Sequence, residues 1–174
     1  MALYEVPFTS TNGRDEIQAW IYTPATTRPR GIVQLIHGLG EHSRRYLHLI
    51  AALLEHGYVV AADDHAGHGA TAMRSGIWQD AGEHGEQVVV EDEQRLREIV
   101  AERFPKLPYI LFGHSWGSMI ARALSAAHPE GLAAAVYCGP VAHMLGLEDP
   151  ATQQAIDAAI AERGGEALDD AGIS

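Results

Sequence analysis

At 174 residues, with 47% hydrophobic and 20% charged side chains, the chain has the length for one domain with a real core and an ordinary globular composition. Twenty-three acidic against twelve basic residues leave a net charge of −11 with no Lys/Arg cluster, which argues against nucleic acid as a partner. No window approaches the ~20 apolar residues of a membrane span, and Met1 to Ser10 lacks the basic start and apolar run of a signal peptide.

In chain order, Leu3 to Thr9 reads as a strand that Pro7 confines to a sheet edge. Asn12-Gly13 signals a turn, and Ile17 to Tyr22 alternates like the second arm of a hairpin. Thr23 to Arg30, with two prolines, is a loop. Gly31 to Ile36 is a buried strand that runs straight into His37-Gly38-Leu39-Gly40-Glu41-His42. Leu47, Ile50, Leu53 and Leu54 give helical spacing within Arg44 to His56, and Gly57 ends that helix. Tyr58 to Ala62 is the next buried strand, followed by a Gly- and His-rich loop from Asp63 to Asp80. Val88 to Phe104 is a helix with Val88, Asp92, Leu96, Ile99 and Val100 on one side.

Tyr109 to Phe112 is a short buried strand, followed by Gly113-His114-Ser115-Trp116-Gly117 and then a helix from Met119 to His128. Strand, sharp Gly-x-Ser-x-Gly turn and helix are the context of a nucleophile elbow. Such a turn holds its serine in a strained, exposed position and brings the chain before and after it close together. A side chain at Gly113 or Gly117 would collide there. The Trp116 amide opens the helix, where free N–H groups and the positive dipole end favour a developing oxyanion. His114 neighbours Ser115, but adjacent residues at such a turn point apart, so its expected role is packing under the elbow.

Pro129 stops the helix, and Leu132 to Tyr137 is a further strand. Cys138, the sole cysteine, excludes an internal disulfide, fits a reducing, cytoplasmic setting and is expected to be a buried structural thiol. Strands alternating with helices imply right-handed crossovers and a mostly parallel sheet covered on both faces. Past Pro140 the pattern changes. Asp149-Pro150 is an N-cap and N1 pair, Ala151, Ala155, Ile156, Ala159 and Ile160 form a weak apolar stripe, and Gly164-Gly165 ends the helix. The domain reading is 1–140 for the core and 141–174 for the start of an inserted segment over the sheet.

Asp63, Asp64, His65 and His68 invite a metal reading, but no second ligand cluster stands in a matching setting, and a hydrogen-bonded loop is the expectation. No metal and no cofactor are expected.

Three blocks resemble one family. His37-Gly38-Leu39-Gly40-Glu41-His42-Ser43-Arg44-Arg45-Tyr46, Asp64-His65-Ala66-Gly67-His68-Gly69 and the Ser115 elbow match, in order and spacing, the blocks of monoacylglycerol lipases and related lysophospholipase-like α/β-hydrolases. The likeness runs from about Phe8 to Pro140. It implies an α/β-hydrolase fold, a cap over the sheet from Val141 onward, and a serine hydrolase of carboxylic esters, of the monoacylglycerol or lysophospholipid class, working through an acyl-enzyme on Ser115. It places the second oxyanion donor at the Leu39 amide, paired with Trp116, and leaves His37 to brace the loop. It also implies a small-molecule or lipid ester substrate and at most peripheral membrane contact through the cap. The chain departs from the pattern at Trp116, where methionine is usual, at Ser118, where glycine is usual, and at Met73, where glycine often stands. These departures bear on substrate fit.

The larger departure is length. In this family the acid and the histidine follow the serine on later strands, and here 174 − 115 = 59 residues follow Ser115. His128 closes the elbow helix and His143 opens the cap. Asp149, Asp157, Asp169 and Asp170 are cap residues by this reading. No acid and no base are therefore assigned. The chain reads as a fragment of a longer hydrolase, or as one whose other half comes from elsewhere. The competing reading is a catalytically incomplete binding module. Either way, self-association or pairing with a C-terminal half is the expected assembly.

Overall fold

The six runs read as strands all enter one sheet, and Pro7 splits the first of them in two. The computed structural model describes residues 1–26, 28–140 and 149–163. Its strands are β1 (Ala2–Glu5), β2 (Phe8–Thr9), β3 (Glu16–Thr23), β4 (Gly31–Ile36), β5 (Tyr58–Asp64), β6 (Tyr109–His114) and β7 (Leu132–Cys138). The order across the sheet is β1-β3-β5-β4-β6-β7, with β2 also on β3. The N-terminal strands pair antiparallel, and β5, β4, β6 and β7 run parallel. Every residue of β4 is buried, as a central parallel strand with covered faces requires.

The helices are α1 (Leu47–Glu55), α2 (Gly69–Ser75), α3 (Gly85–Arg103), α4 (Trp116–Ala127) and α5 (Pro150–Arg163), with a 3-10 turn at Ser43–Tyr46. Period-2 alternation sorts the strand side chains into two cores. Ile32, Ile36, Val59 and Ala61 face a core with Leu96 and Val100 of α3 and Leu124 of α4. Leu35, Val60 and Ala62 face the other, with Ile50 and Leu54 of α1. Met1–Pro140 forms one unit and Val141–Ser174 a second, of which α5 is described.

Several expectations need correction. β5 does not stop at Ala62. It continues through Asp63 and Asp64, both buried; Asp64 accepts hydrogen bonds from Ser43 and Ala70, and Asp63 lies 3.5 Å from His65 Nδ1. The expected loop from Asp63 to Asp80 contains α2, whose small residues carry no apolar period. Leu47 is exposed, so the α1 stripe reduces to Ile50 and Leu54 with Leu49 and Leu53 alongside. Cys138 is exposed, because β7 is the last strand of the sheet among the described residues. On α5, Asp149 caps the helix through the Thr152 N–H at 3.2 Å as expected. Ala151 and Ala155 are exposed and Ile156 is half-buried. Gly164-Gly165, His143, Asp169 and Asp170 lie outside the described residues.

The hairpin turn before β3 is fixed to α3 by Asp92, which is buried. Its carboxylate accepts from the Ser10 hydroxyl at 2.6 Å, the Thr11 N–H at 2.7 Å and the Thr11 hydroxyl at 3.0 Å. Removing the acceptor strands several donors, at about 1–3 kcal/mol each where burial is complete. Asp92→Ala is therefore expected to lower unfolding free energy by more than about 2 kcal/mol, read as a fall in the urea midpoint with an unchanged slope. An unchanged midpoint would show that the hairpin does not depend on this tie.

Candidate active site at the end of β6

Ser115 follows β6 directly and is the residue before the first turn of α4. Its backbone lies at φ 53°, ψ −123°, a left-handed value that a serine adopts only when its surroundings impose it. Three bonds hold it there. The Ser115 N–H donates to the Cys138 carbonyl at 2.8 Å, and the Ser115 carbonyl accepts from the Ser118 N–H at 2.9 Å and the Ser118 hydroxyl at 2.6 Å. Ser118, where the family pattern has glycine, thus ties the turn.

Steric crowding sets the rest. A Cβ on Gly113 would lie 2.2 Å from the Gly117 carbonyl oxygen, so the two sides of the turn do pass close together. A Cβ on Gly117 would lie 2.2 Å from the Ile36 carbonyl oxygen and 2.4 Å from that of His37. The second glycine is therefore required by the exit of β4, not by the elbow itself. The same contact brings the next turn alongside. A Cβ on Gly38 would lie 3.2 Å from the Ser115 Cβ. Leu39 follows Gly38, is 58% exposed, and begins the turn through Gly40. Trp116 is the first residue of α4, so its N–H has no intrahelical acceptor.

Polar side chains shape the Gly38 turn. Glu41 accepts from the Gly38 N–H at 2.6 Å and from the Tyr46 hydroxyl. The Tyr46 oxygen is also 2.9 Å from His114 Nδ1. Burial works to raise the Glu41 pKa, but the Tyr46 and Gly38 bonds outweigh it and the net direction is down. Burial, then Glu41, pushes Tyr46 up. His114 is 44% exposed at its side chain and joins this network, so it does not pack under the elbow as expected. Sequence reasoning gave Glu41 and Tyr46 no part. The Glu41-to-Tyr46 spacing across the 3-10 turn was the available signal.

His37 is fully buried. Its Nε2 accepts from the His65 N–H at 3.2 Å, which assigns the proton to Nδ1, donated to the Gly38 carbonyl at 2.8 Å. Burial, then His65, holds its pKa well below the usual histidine value. It braces the turn, and at neutral pH it carries no charge.

The Asp64 carboxylate is the hub of the second block. It accepts from the Ser43 N–H and hydroxyl at 2.8 and 2.7 Å, and from the Ala70 N–H at 2.7 Å. His68 bonds the Ala66 carbonyl and stacks on the Trp116 ring at 5.4 Å. The four residues considered for metal thus do not converge. The group that does is Asp63, His65 and Glu93, and Glu93 comes from α3. A cavity of about 430 Å³ is lined by Glu41, Arg44, His68, Met73 and Trp78, and by neither Ser115 nor Trp116.

Among the described residues no histidine ring is hydrogen-bonded to the Ser115 hydroxyl. His128 is the C-cap of α4, at the far end of that helix from Ser115, where its carbonyl accepts from Arg97 at 2.7 Å. Asp157 lies within α5.

A family model described as serine aminopeptidase S33 matches residues 27–162. The monoacylglycerol lipase of Mycolicibacterium smegmatis is 39% identical over 120 residues, covering 69% of this chain and 41% of that protein. A thermostable carboxyl esterase from Bacillus coagulans, solved with glycerol, is 50% identical at a TM-score of 0.89, covering 97% of this chain and 54% of that one. A lipase solved in an open form is 52% identical at a TM-score of 0.90, covering 98% and 55%. The chain thus spans from two-fifths to just over half the length of these relatives. The sheet and these matches together establish the α/β-hydrolase fold and the resemblance to monoacylglycerol lipases.

Gly117 supplies a test of the crowding. Alanine in a helix ordinarily gains about 1 kcal/mol over glycine. Here a methyl group 2.2 Å from a backbone oxygen reverses the sign. Gly117→Ala should lose more than about 2 kcal/mol of stability by thermal or urea unfolding, since overpacking costs typically 1–3 kcal/mol and backbone yields poorly. A neutral or stabilised variant would show that α4 and β4 are farther apart.

Proposed function

This chain belongs to the serine aminopeptidase S33 family of hydrolases, and from that premise we propose that the complete enzyme hydrolyses carboxylic esters through an acyl-enzyme on Ser115. The observation that carries the reading is the strained Ser115 at φ 53° with Gly38 packed against it. Ser115 Oγ attacks the ester carbonyl carbon, the N–H groups of Leu39 and Trp116 receive the oxyanion, and the alcohol leaves. Water then attacks the acyl carbon and frees the acid. The proton moves by way of a base and acid outside residues 1–174, which is the expectation that the coverage of the relatives supports. Ester rather than peptide substrates are favoured by the relatives named as a monoacylglycerol lipase, a carboxyl esterase and a lipase. A glycerol monoester is the substrate of choice, with lysophospholipids the second class. The mixed polar and apolar lining of the cavity at Glu41, Arg44, His68, Met73 and Trp78 suits a molecule with a polar head and an acyl arm. Residues 141–174 are read as the start of the cap, and the setting as cytoplasmic. No helix among the described residues is long and apolar enough to cross a membrane.

The second reading is a catalytically incomplete chain that binds or interacts. It is favoured by the missing partner for the Ser115 hydroxyl among the described residues. A fluorophosphonate probe separates the two. In the enzyme completed by a C-terminal half, Ser115 should be labelled, and Ser115→Ala should cost about 10⁴–10⁶ in kcat with little change in stability. The chain alone should turn over p-nitrophenyl esters at most ~10³-fold above water, from the oxyanion donors. Ester hydrolysis retained by Ser115→Ala would remove the nucleophile assignment. Ordinary turnover by the chain alone would place the base within it, with His128 and His143 the first positions to mutate.

The same reading concerns assembly. Among the described residues β7 is the terminal strand of the sheet, Val136 and Tyr137 are 44% and 39% exposed, and Leu132 to Tyr137 carries no charge, proline or glycine. Natural edges are usually short, charged or bulged, since open N–H and C=O groups template further pairing. The isolated chain is expected to self-associate through β7 at micromolar concentration, by light scattering, and to pair there with a C-terminal half when one is supplied. A monomer with one cooperative thermal transition would overturn this.

A further inference from the structure

Three ionisable side chains meet in the core beneath the Gly38 turn. Asp63 and Glu93 are 0% exposed and His65 is 2% exposed. His65 Nδ1 is 3.5 Å from Asp63 Oδ2 and 3.4 Å from Glu93 Oε1. With both carboxyls ionised, neither Asp63 oxygen nor Glu93 Oε1 has a hydrogen-bond partner among the described residues. Two dry carboxylates with one imidazole would leave an uncompensated buried charge, which costs several kcal/mol. One proton on the carboxyl pair removes that charge and supplies the missing donor.

The neighbours select Glu93 as its carrier. The Tyr109 hydroxyl donates to Gln34 Oε1 at 2.5 Å, which fixes the Gln34 amide with its nitrogen toward Glu93. That nitrogen occupies Glu93 Oε2 and leaves Oε1 facing Asp63 and His65. Burial, then Asp63, also lifts the Glu93 carboxyl well above its usual range, while at His65 burial works against charge but Asp63, the His37 carbonyl and Asp64 together outweigh it. The other acids here are engaged: Asp64 by Ser43 and Ala70, Asp92 by Ser10 and Thr11. On its far side His65 grips the turn. Its Nε2 donates to the His37 carbonyl at 3.3 Å, its N–H donates to His37 Nε2, and the two rings stack at 3.8 Å.

We propose that Asp63, His65 and Glu93 form a buried, electrically neutral triad with one proton shared by the two carboxyls, and that His65, as imidazolium, is a positioning residue for the His37-Gly38-Leu39 turn. Its consequence for catalysis rests on the reading of Leu39 as an oxyanion donor. Its structure does not.

The test is ring ¹⁵N spectroscopy of the histidine-labelled 174-residue chain. His65 should show two protonated nitrogens above the pH of about 6.5 where an ordinary histidine is half-protonated, and His37 a neutral ring with its proton on Nδ1. Glu93→Gln reproduces the donor of a protonated carboxyl and should leave both signals, and exchange of the Gly38 amide, unchanged. Asp63→Asn with Glu93→Gln removes the counter-charge, so His65 should become neutral at pH 7 and Gly38 exchange should quicken at least roughly tenfold. A neutral His65 in the unmodified chain overturns the proposal. So does a neutral His65 in Glu93→Gln alone, a charged one in the double variant, or a stoichiometric divalent ion by elemental analysis. Where a variant fails to fold, the spectrum of the unmodified chain decides. Fluorophosphonate labelling in the completed enzyme should slow in the double variant and hold in Glu93→Gln. Absence of labelling in the unmodified enzyme would refute the Ser115 reading and leave the triad to be judged by its spectra.

Discussion

The contact on which the site depends is that of Gly117 with the carbonyls of Ile36 and His37. The first turn of α4 presses on the exit of β4 so closely that only hydrogen fits between them. Two separate pieces of chain are thereby set in register by backbone contact. One carries Ser115 and the Trp116 amide, and the other carries Gly38 and Leu39. The parallel pairing of β4 with β6, Ile36 opposite Gly113, brings them to the same end of the sheet. The glycine then closes the remaining gap. Backbone contacts of this kind are stiff, since neither partner has a rotamer to change.

Polar groups then fix what sterics leave loose. Glu41 and Tyr46 hold the Gly38 turn from the solvent side, and His37 with His65 holds it from the core side. Asp64 ties the two histidine-rich blocks together through Ser43 and Ala70. The Trp116 ring lies face-on to His68 and edge-on to His65, so the residue after the serine is anchored in the second block. Glu41 and Asp64 each bond backbone as well as side chains, and for that reason a buried carboxylate stabilises a loop conformation rather than merely tolerating burial.

Strands and long helices were legible because burial on one face imposes a period. Gly31 to Ile36 could be read to the residue, and the elbow by its glycines, which report local crowding directly. Asp63, Asp64 and Glu93 look like surface residues in a sequence, and only long-range partners make them interior ones. The end of β5 and the buried side of α3 at Glu93 were missed accordingly, while α2 was missed because its small residues carry no apolar period. Cys138 was read from its apolar neighbours, whereas its exposure depends on which strand comes next in the sheet. Ser118 and His114 were placed correctly in the chain, but their hydrogen bonds depend on χ angles and on partners up to 68 residues away.

The elbow also explains why β7 matters beyond the sheet. A serine at φ 53° stores strain of order 1–3 kcal/mol, and the conformation persists only when neighbours over-determine it. One of those neighbours is the Cys138 carbonyl at the end of β7, which accepts the Ser115 N–H. The last rung of the β6–β7 ladder, His114 opposite Cys138, adjoins that bond. Among the described residues β7 pairs on one edge, with β6, whereas β4 and β6 pair on both, so β7 frays more readily. Fraying of β7 therefore loosens the Ser115 backbone as well as the sheet, and the order of Ser115 is coupled to that of β7 through the Cys138 carbonyl.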